Sequence, residues 1–294
     1  MTALEFDRSS DATAGEVVQV SPLVRRVLCG NPGPFTFTGT STFIVGRGQV
    51  AVIDPGPDNE AHFNTLAQAL RGETVSHILV THSHADHSPL SARLKALTGA
   101  PALAFGSIAA AAGAGLRLDA GIDTGFVPDR QLGDGEVVDG RGWTLEALFT
   151  PGHMSNHMCF ALKEEKALFA GDHVMTWATS VIAPPDGNMG DYFASLRRLL
   201  DRDDEVYYPA HGALRRDPLP LVRGYLAHRR MREAAILSRL RGGDRSIAGI
   251  VAALYADVDP RLHGAAGLSV RAHLDHLAEQ GLVRVSEGHY EPAA

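Results

Sequence analysis

Four separate points along this chain place a histidine or an aspartate straight after a short apolar run, so a fold that suits all four must bring the ends of those runs to one rim. The densest is Thr81-His82-Ser83-His84-Ala85-Asp86-His87, which follows an apolar stretch at 75–80 that reads as a buried strand. The others are Thr150-Pro151-Gly152-His153, Gly171-Asp172-His173 and Pro209-Ala210-His211-Gly212, after apolar runs at 143–149, 167–170 and 205–208. Imidazoles and carboxylates crowded at strand ends are poor core material and good ligands for zinc or a similar divalent metal.

The rest of the pattern is mixed. Residues 16–28 alternate weakly and read as a strand, and 41–45 with 49–53 form a hairpin across Gly46-Arg47-Gly48. The turn Asp54-Pro55-Gly56-Pro57 breaks the second strand. Helical spacing appears at 61–70, at 89–97 with Pro89 suited to a first turn, and at 192–200. Residues 101–105 read as a further strand, and 157–162 pairs with 167–170. Strands and helices in this order predict an α/β layered fold with its site at one rim. Residues 106–142 are rich in Gly, Ala and Asp; they and residues 177–190 carry no assigned role beyond shaping a pocket. The C-terminal part differs. A long Arg-rich helix at 219–240 precedes a helix at 246–255 with Ser246 as N-cap, a third at 269–280 stopped by Gly281, and a hairpin at 282–290. Helix, helix and hairpin make a winged helix. The expected division is a catalytic domain at 1–214, a linking helix at 215–243 and a winged-helix unit at 244–294.

Charge and cysteines narrow the setting. The net charge of −7 excludes bulk attraction to polyanions, but from Gly212 onward twelve arginines face nine acidic residues. Two cysteines, Cys29 and Cys159, make no disulfide framework. The first sixteen residues show no apolar signal region, and no run is long enough to span a membrane. A cytoplasmic protein without a membrane partner is the expectation.

With the later His153, Asp172 and His211 in place, the chain resembles the metallo-β-lactamase superfamily over about residues 15–215. The motif His82-x-His84-x-Asp86-His87 carries the likeness, and Asp54-Pro55-Gly56 is similar to an early turn of that family. The resemblance implies a four-layer αβ/βα sandwich and a binuclear zinc site, with manganese or iron as other metals that suit the same donors. It assigns His82, His84 and His153 to one metal, Asp86, His87 and His211 to the other, and Asp172 to both. The implied chemistry is attack by metal-activated water, with Asp86 as the catalytic group that orients it or takes its proton. Histidines outside the set are expected elsewhere: His77 as an ordinary structural residue, His62, His263, His273, His276 and His289 at the surface, and His157, His173 and His228 near the site without a settled role.

Fold alone does not fix the substrate. The Tyr208-Pro209-Ala210-His211-Gly212 stretch, the basic helix and the winged helix resemble the β-lactamase-like protein 2 branch, which implies an endoribonuclease on single-stranded RNA. Arg215-Arg216 and His228-Arg229-Arg230-Met231-Arg232 would then neutralise phosphates. The alternative is a small ester or thioester hydrolase of the hydroxyacylglutathione type. An alternative of another class is a winged-helix nucleic-acid-binding regulator with a metal-dependent sensor domain. Specific DNA binding is disfavoured, because residues 269–280 set one arginine against Asp275 and Glu279. A cap over the active site or a homodimer contact suits the winged helix better.

Overall fold

The computed structural model describes residues 4–9, 12–108, 121–257, 259–286 and 288–293. Residues 109–120, within the stretch left unassigned from sequence, lie outside the described residues. The first sheet holds β1 (Val17–Gln19), β2 (Val24–Leu28), β3 (Ser41–Arg47), β4 (Gln49–Ile53), β5 (Thr74–Leu79), β6 (Ala102–Ala104) and β7 (Arg130–Gln131), in that order. The second holds β8 (Val137–Gly140), β9 (Trp143–Phe149), β10 (Met158–Leu162), β11 (Ala167–Gly171), β12 (Val206–Pro209) and β13 (Arg215–Arg216), also in chain order.

Alternation builds the layers. In β3, Phe43 and Val45 point into the core between the sheets, while Ile44 points out; in β4, Ala51 and Ile53 point in, while Val50 and Val52 point out. That is the two-residue period of a strand with both faces covered. The inner faces meet through Phe43, Ile53, Leu79, Trp143, Phe160 and Phe169. The outer face of the first sheet is covered by α1 (Glu60–Ala69) and α2 (Leu90–Thr98), through Leu66, Leu90 and Leu94. The outer face of the second is covered by α3 (Met189–Leu200) and the start of α4 (Leu219–Arg241), through Tyr192, Phe193, Leu196, Val222 and Tyr225. The result is the expected αβ/βα sandwich.

A separate core joins the end of α4 to α5 (Ile247–Leu254), α6 (His263–Glu279) and the hairpin of β14 (Val283–Ser286) and β15 (His289–Pro292). Ser246 caps α5 by accepting from the amide of Gly249. This is the winged helix that the sequence pattern predicts.

Some elements differ from the sequence reading. Residues 16–28 form two antiparallel strands, because Ser21-Pro22 turns the chain between β1 and β2. The third C-terminal helix starts at His263 rather than 269: Gly264 and Gly267 weaken its helical signal, yet Ala266 and Val270 are buried in the local core. Strand β8 lies inside the unassigned stretch, and Arg215-Arg216 forms an edge strand beside β12.

Candidate metal centre

Strand direction explains why distant residues meet. β9 and β11 both run antiparallel to β10, and β12 runs parallel to β11. Their C-terminal ends therefore reach one rim, where they deliver His153, Asp172 and His211. Strand β5 of the other sheet ends at the same rim, and the amide of Met158 donates to the carbonyl of Thr81 at 2.7 Å across the two sheets. Ala210 is held from both sides, its amide on the Gly171 carbonyl and its carbonyl on the amide of Ser41.

The seven sequence-derived candidates fall into two adjoining groups, His82, His84, His153 and Asp172 in one and Asp86, His87 and His211 in the other. His84 Nδ1 lies 2.9 Å from His82 Nε2 and 3.1 Å from His153 Nε2. Asp172 faces both groups. Its Oδ2 is 3.9 Å from His82 Nε2 and 3.7 Å from His153 Nε2. Its Oδ1 is 3.2 Å from His211 Nε2 and 3.7 Å from His87 Nε2. Asp86 Oδ2 closes the second group at 3.2 Å from His211 Nε2 and 3.3 Å from His87 Nε2. All seven side chains are buried.

Hydrogen bonding behind these residues sets which nitrogen faces inward. His87 Nδ1 donates to Asp54 Oδ2 at 2.9 Å, and His211 Nδ1 donates to the Gly39 carbonyl at 3.0 Å. His153 Nδ1 donates to the Val181 carbonyl. Thr81 Oγ1 donates to Asp54 Oδ2, so it accepts from His82 Nδ1 at 2.9 Å. In four of the five imidazoles Nδ1 is thus spent on an outer partner, leaving the Nε2 lone pair for the centre. Asp86 Oδ2 accepts from Thr40 Oγ1 at 3.0 Å.

The donor set fits divalent metals. Buried atoms His87 Nε2 and Asp172 Oδ1 have no hydrogen-bond partner among the described residues, an arrangement that costs free energy unless a cation meets them. Charge balance points the same way. Burial depresses the imidazolium of His211, but the carboxylates of Asp172 and Asp86 outweigh it and raise the group to about 10. His87 behaves likewise, burial being overcome by Asp86, Asp172 and Asp54. His82, which burial and its imidazole neighbours hold neutral, is pushed well below its ordinary range. Both Asp86 and Asp172 are held well below the usual carboxylate range by His87 and His211 in spite of burial. The cluster is built to surround positive charge.

The sequence presents Asp54 only as part of a turn. It anchors three groups, accepting from the Thr81 amide, the Thr81 hydroxyl and His87. Its backbone is left-handed, with φ of 48°. His157 is another such residue, linking Thr150 Oγ1 to the amide of Asp172. His62 is buried rather than exposed: its Nε2 donates to Thr42 Oγ1 at 2.8 Å, and burial lowers it to about 4. His273, also expected at the surface, is fully buried and bonds to Glu233, as His276 does. His289 is exposed, as expected. His173 is buried against Tyr192 behind the centre, and His77 packs edge-on to Trp143. Both cysteines are buried thiols pushed up by burial, Cys29 to about 11 and Cys159 to about 12. Neither offers a thiolate nucleophile.

The centre lies at the bottom of a cavity of about 370 Å³. Phe35, Trp177 and Met175 form one wall, and Tyr255, Leu262 and Ala266 of the C-terminal unit form another. Trp177 is held by stacking on Phe37, with ring centres 5.0 Å apart and planes 11° from parallel. His228, Arg229 and Arg232 of α4 complete the lining.

A buried His/Asp centre at the rim of an αβ/βα sandwich, walled by a winged helix, is that of a metallo-hydrolase. The chain belongs to the metallo-β-lactamase superfamily: residues 35–211 match the Metallo-beta-lactamase superfamily, and residues 246–290 match the Beta-lactamase associated winged helix domain. It is 34% identical over 234 residues to a protein of Claviceps purpurea named atrochrysone carboxyl ACP thioesterase, covering 76% of this chain and 67% of that one. It is 32% identical over 286 residues to a lactamase-like protein of Emericella nidulans, covering 92% of this chain and 86% of that one. Against the first of these the chain spans about two thirds of the relative's length. A beta-lactamase domain protein of Burkholderia ambifaria shares the fold, with a TM-score of 0.80 at 22% identity over 99% of this chain and 97% of that one. Another solved relative, in a di-iron-bound form, is 28% identical with a TM-score of 0.52, over 67% of this chain and 95% of that one.

Proposed function

We propose that this chain is a metal-dependent thioesterase acting on bulky acyl thioesters, with two zinc ions held by the seven residues above. The observation that carries the reading is the cavity: the centre opens into a walled space lined by aromatic and aliphatic side chains, which suits an apolar acyl group. The relatives named as thioesterases support the same substrate class.

His82, His84 and His153 would hold one metal, Asp86, His87 and His211 the other, and Asp172 both. Bound there, two divalent ions supply an acidified water and a Lewis acid for the thioester carbonyl. The protein's own part is to hold the donor groups in place. Asp54, Thr81, Gly39 and Val181 fix the imidazoles through Nδ1. Thr40 donates to Asp86, which would take the proton of the attacking water. Phe35 and Trp177 would flank the acyl group. Manganese and iron also suit nitrogen and oxygen donors.

Single-stranded RNA draws less support. Of the basic cluster, Arg229 is buried and Arg232 sits over Tyr255 at the cavity. Arg215 and Arg216 pair along β12 opposite Tyr207 and Val206, away from the end that delivers His211. A continuous exposed stripe that would track a phosphate backbone is not formed by these residues. The test is a substrate panel with metal analysis: an S-benzoyl N-acetylcysteamine thioester, S-lactoylglutathione and a labelled single-stranded RNA, with Asp172→Ala as control. Metal-dependent hydrolysis of the aromatic thioester, lost in the control, is the expected outcome. Cleavage of RNA with both thioesters untouched would overturn the assignment.

A further inference from the structure

Helix α4 turns two arginines into the cavity without giving either a counter-charge. Arg229 is 3% exposed. One of its terminal nitrogens donates to the carbonyl of Ser180, its guanidinium lies 5.4 Å from the centre of the Tyr192 ring, and its buried Nε bonds to nothing among the described residues. Arg232, one turn below, lies 4.4 Å over the Tyr255 ring and donates to the Leu254 carbonyl at 3.4 Å. Neither guanidinium makes an ion pair among the described residues.

The groups around them do not supply the missing charge. Glu233, next along the helix, is taken by His276 Nδ1 at 2.7 Å and by His273 Nδ1 at 3.4 Å. His228 lines the same cavity, and its buried Nδ1 is also without a partner among the described residues. Burial together with Arg229 and Arg232 lowers His228 to about 4, so it is a neutral imidazole at physiological pH. A buried guanidinium facing only carbonyls and aromatic rings is costly to fold around unless something negative meets it. The buried Arg229 and the half-buried Arg232 on one face of one helix, beside an imidazole whose Nδ1 has no partner among the described residues, make a recess that an anion would complete.

We propose that Arg229 and Arg232, with His228 beside them, form an anion-binding subsite of the cavity that holds a carboxylate or phosphate carried by the substrate. This rests on the thioesterase reading for the identity of the substrate. The anion would be either a carboxylate on the acyl group or the phosphate of a phosphopantetheine-type arm bearing the thioester. Both present the same chemistry to the arginines, and the pairing would set specificity through binding rather than through the hydrolytic step.

The test uses the metal-loaded full chain and non-hydrolysable probes. Naphthalene-2-sulfonate and methyl 2-naphthyl sulfone share a ring and differ in charge, and the sulfonate is a weak metal ligand. Pantetheine 4′-phosphate and pantetheine form the second pair. Wild type is expected to bind the charged member of at least one pair about tenfold more tightly, with the gap shrinking as salt is added. Arg232→Met should bring that pair to within two- to threefold with metal content unchanged, and Arg229→Gln, checked for folding by circular dichroism, should do the same. Loss of preference in the naphthyl pair alone places the anion on the acyl group; loss in the pantetheine pair alone places it on the carrier arm. Equal binding of charged and uncharged probes by wild type, or a preference untouched in Arg232→Met, would overturn the subsite. The probes are not turned over, so inactivity toward thioesters alongside a clear anion preference would sink the thioesterase reading and leave this one standing.

Discussion

Replacing Asp54 by Asn tests how the centre is held. Asp54 lies outside the proposed ligand set, yet its carboxylate accepts from the Thr81 amide and hydroxyl, each at 2.7 Å, and from His87 Nδ1 at 2.9 Å. Asn keeps the shape and tolerates the left-handed backbone at this position, where Ala would be strained. Its Oδ1 still serves the Thr81 amide. Its Nδ2 now faces Thr81 Oγ1 and His87 Nδ1, and an N–H aimed at Nδ1 forces the imidazole proton onto Nε2. That nitrogen is the one turned to Asp86 and Asp172, so the tautomer that would bind a metal is penalised.

Outer partners of ligating histidines are worth about 10–100-fold in metal affinity, or about 1.4–2.7 kcal/mol. The expected result is a loss largest at the group of Asp86, His87 and His211, with a smaller loss at the group of His82, His84 and His153, because Asp54 reaches His82 only through the Thr81 hydroxyl. Competition against a chromophoric chelator, with metal counted per chain, reads this directly. His87→Ala is the reference, and the double variant should bind no worse than His87→Ala alone, because both act through one side chain. Two metals held at wild-type affinity in Asp54→Asn would refute the tautomer argument. Equal loss of both metals together with the native circular dichroism spectrum would show that Asp54 merely supports the fold.

Other outcomes follow from single contacts. Gly152→Ala puts a Cβ 2.4 Å from Tyr192 Cα, at a φ of +136°; backbone cannot yield there, so stability should fall by about 3 kcal/mol and His153 should be displaced, and an unchanged melting temperature would refute the clash. Tyr225→Phe removes a hydroxyl that accepts from the Met175 amide and shares its one proton between the carbonyls of Met175 and Ala178; urea unfolding should show a loss of about 1–3 kcal/mol. Trp177→Ala removes the stacked wall residue and should raise KM for aromatic thioesters by about 0.5–1.5 kcal/mol with kcat little changed; an equal fall in kcat would mean that the ring acts on the chemistry. Because the carboxylates raise His211 to about 10, it carries a proton at neutral pH that an incoming metal must displace. Zinc affinity should therefore rise with pH by about tenfold per unit for each proton displaced, and a flat profile between pH 6 and 8 would contradict it.

The metal centre was legible because its candidate ligands are local or terminal features. His82, His84, Asp86 and His87 lie within one loop, and His153, Asp172 and His211 each follow a strand, where a polar residue after an apolar run is conspicuous. The layers were legible for the same reason, since alternation in β3 and β4 states which face is buried. Asp54 was not legible as a supporting residue: its partners lie 27 and 33 positions away, and its own segment explains it fully as a turn. His62 and His273 misled because each sits on a helix of mixed polar and apolar residues, and only the packed partner shows which face is covered. Strands β7 and β13 are two residues each, too short to carry a period. The arginines of α4 were visible as charge, but charge in a sequence has no direction.

That direction is what gives α4 its place in the molecule. Leu221, Val222, Tyr225 and Leu226 at its start belong to the core on the second sheet, and Ile236 and Leu240 at its end belong to the core of the winged helix. Arg229 and Arg232 lie between these stretches, where the helix passes from one core to the other and turns this face to the cavity. The same crossing brings Tyr255, Leu262 and Ala266 over the metal centre. On the proposed function the rim of the sandwich would supply the chemistry, and the wall that would select a substrate is shared with the C-terminal unit. A substitution in α4 or the winged helix could therefore alter what is hydrolysed while leaving the His/Asp rim intact, which is why the fold alone left the substrate open.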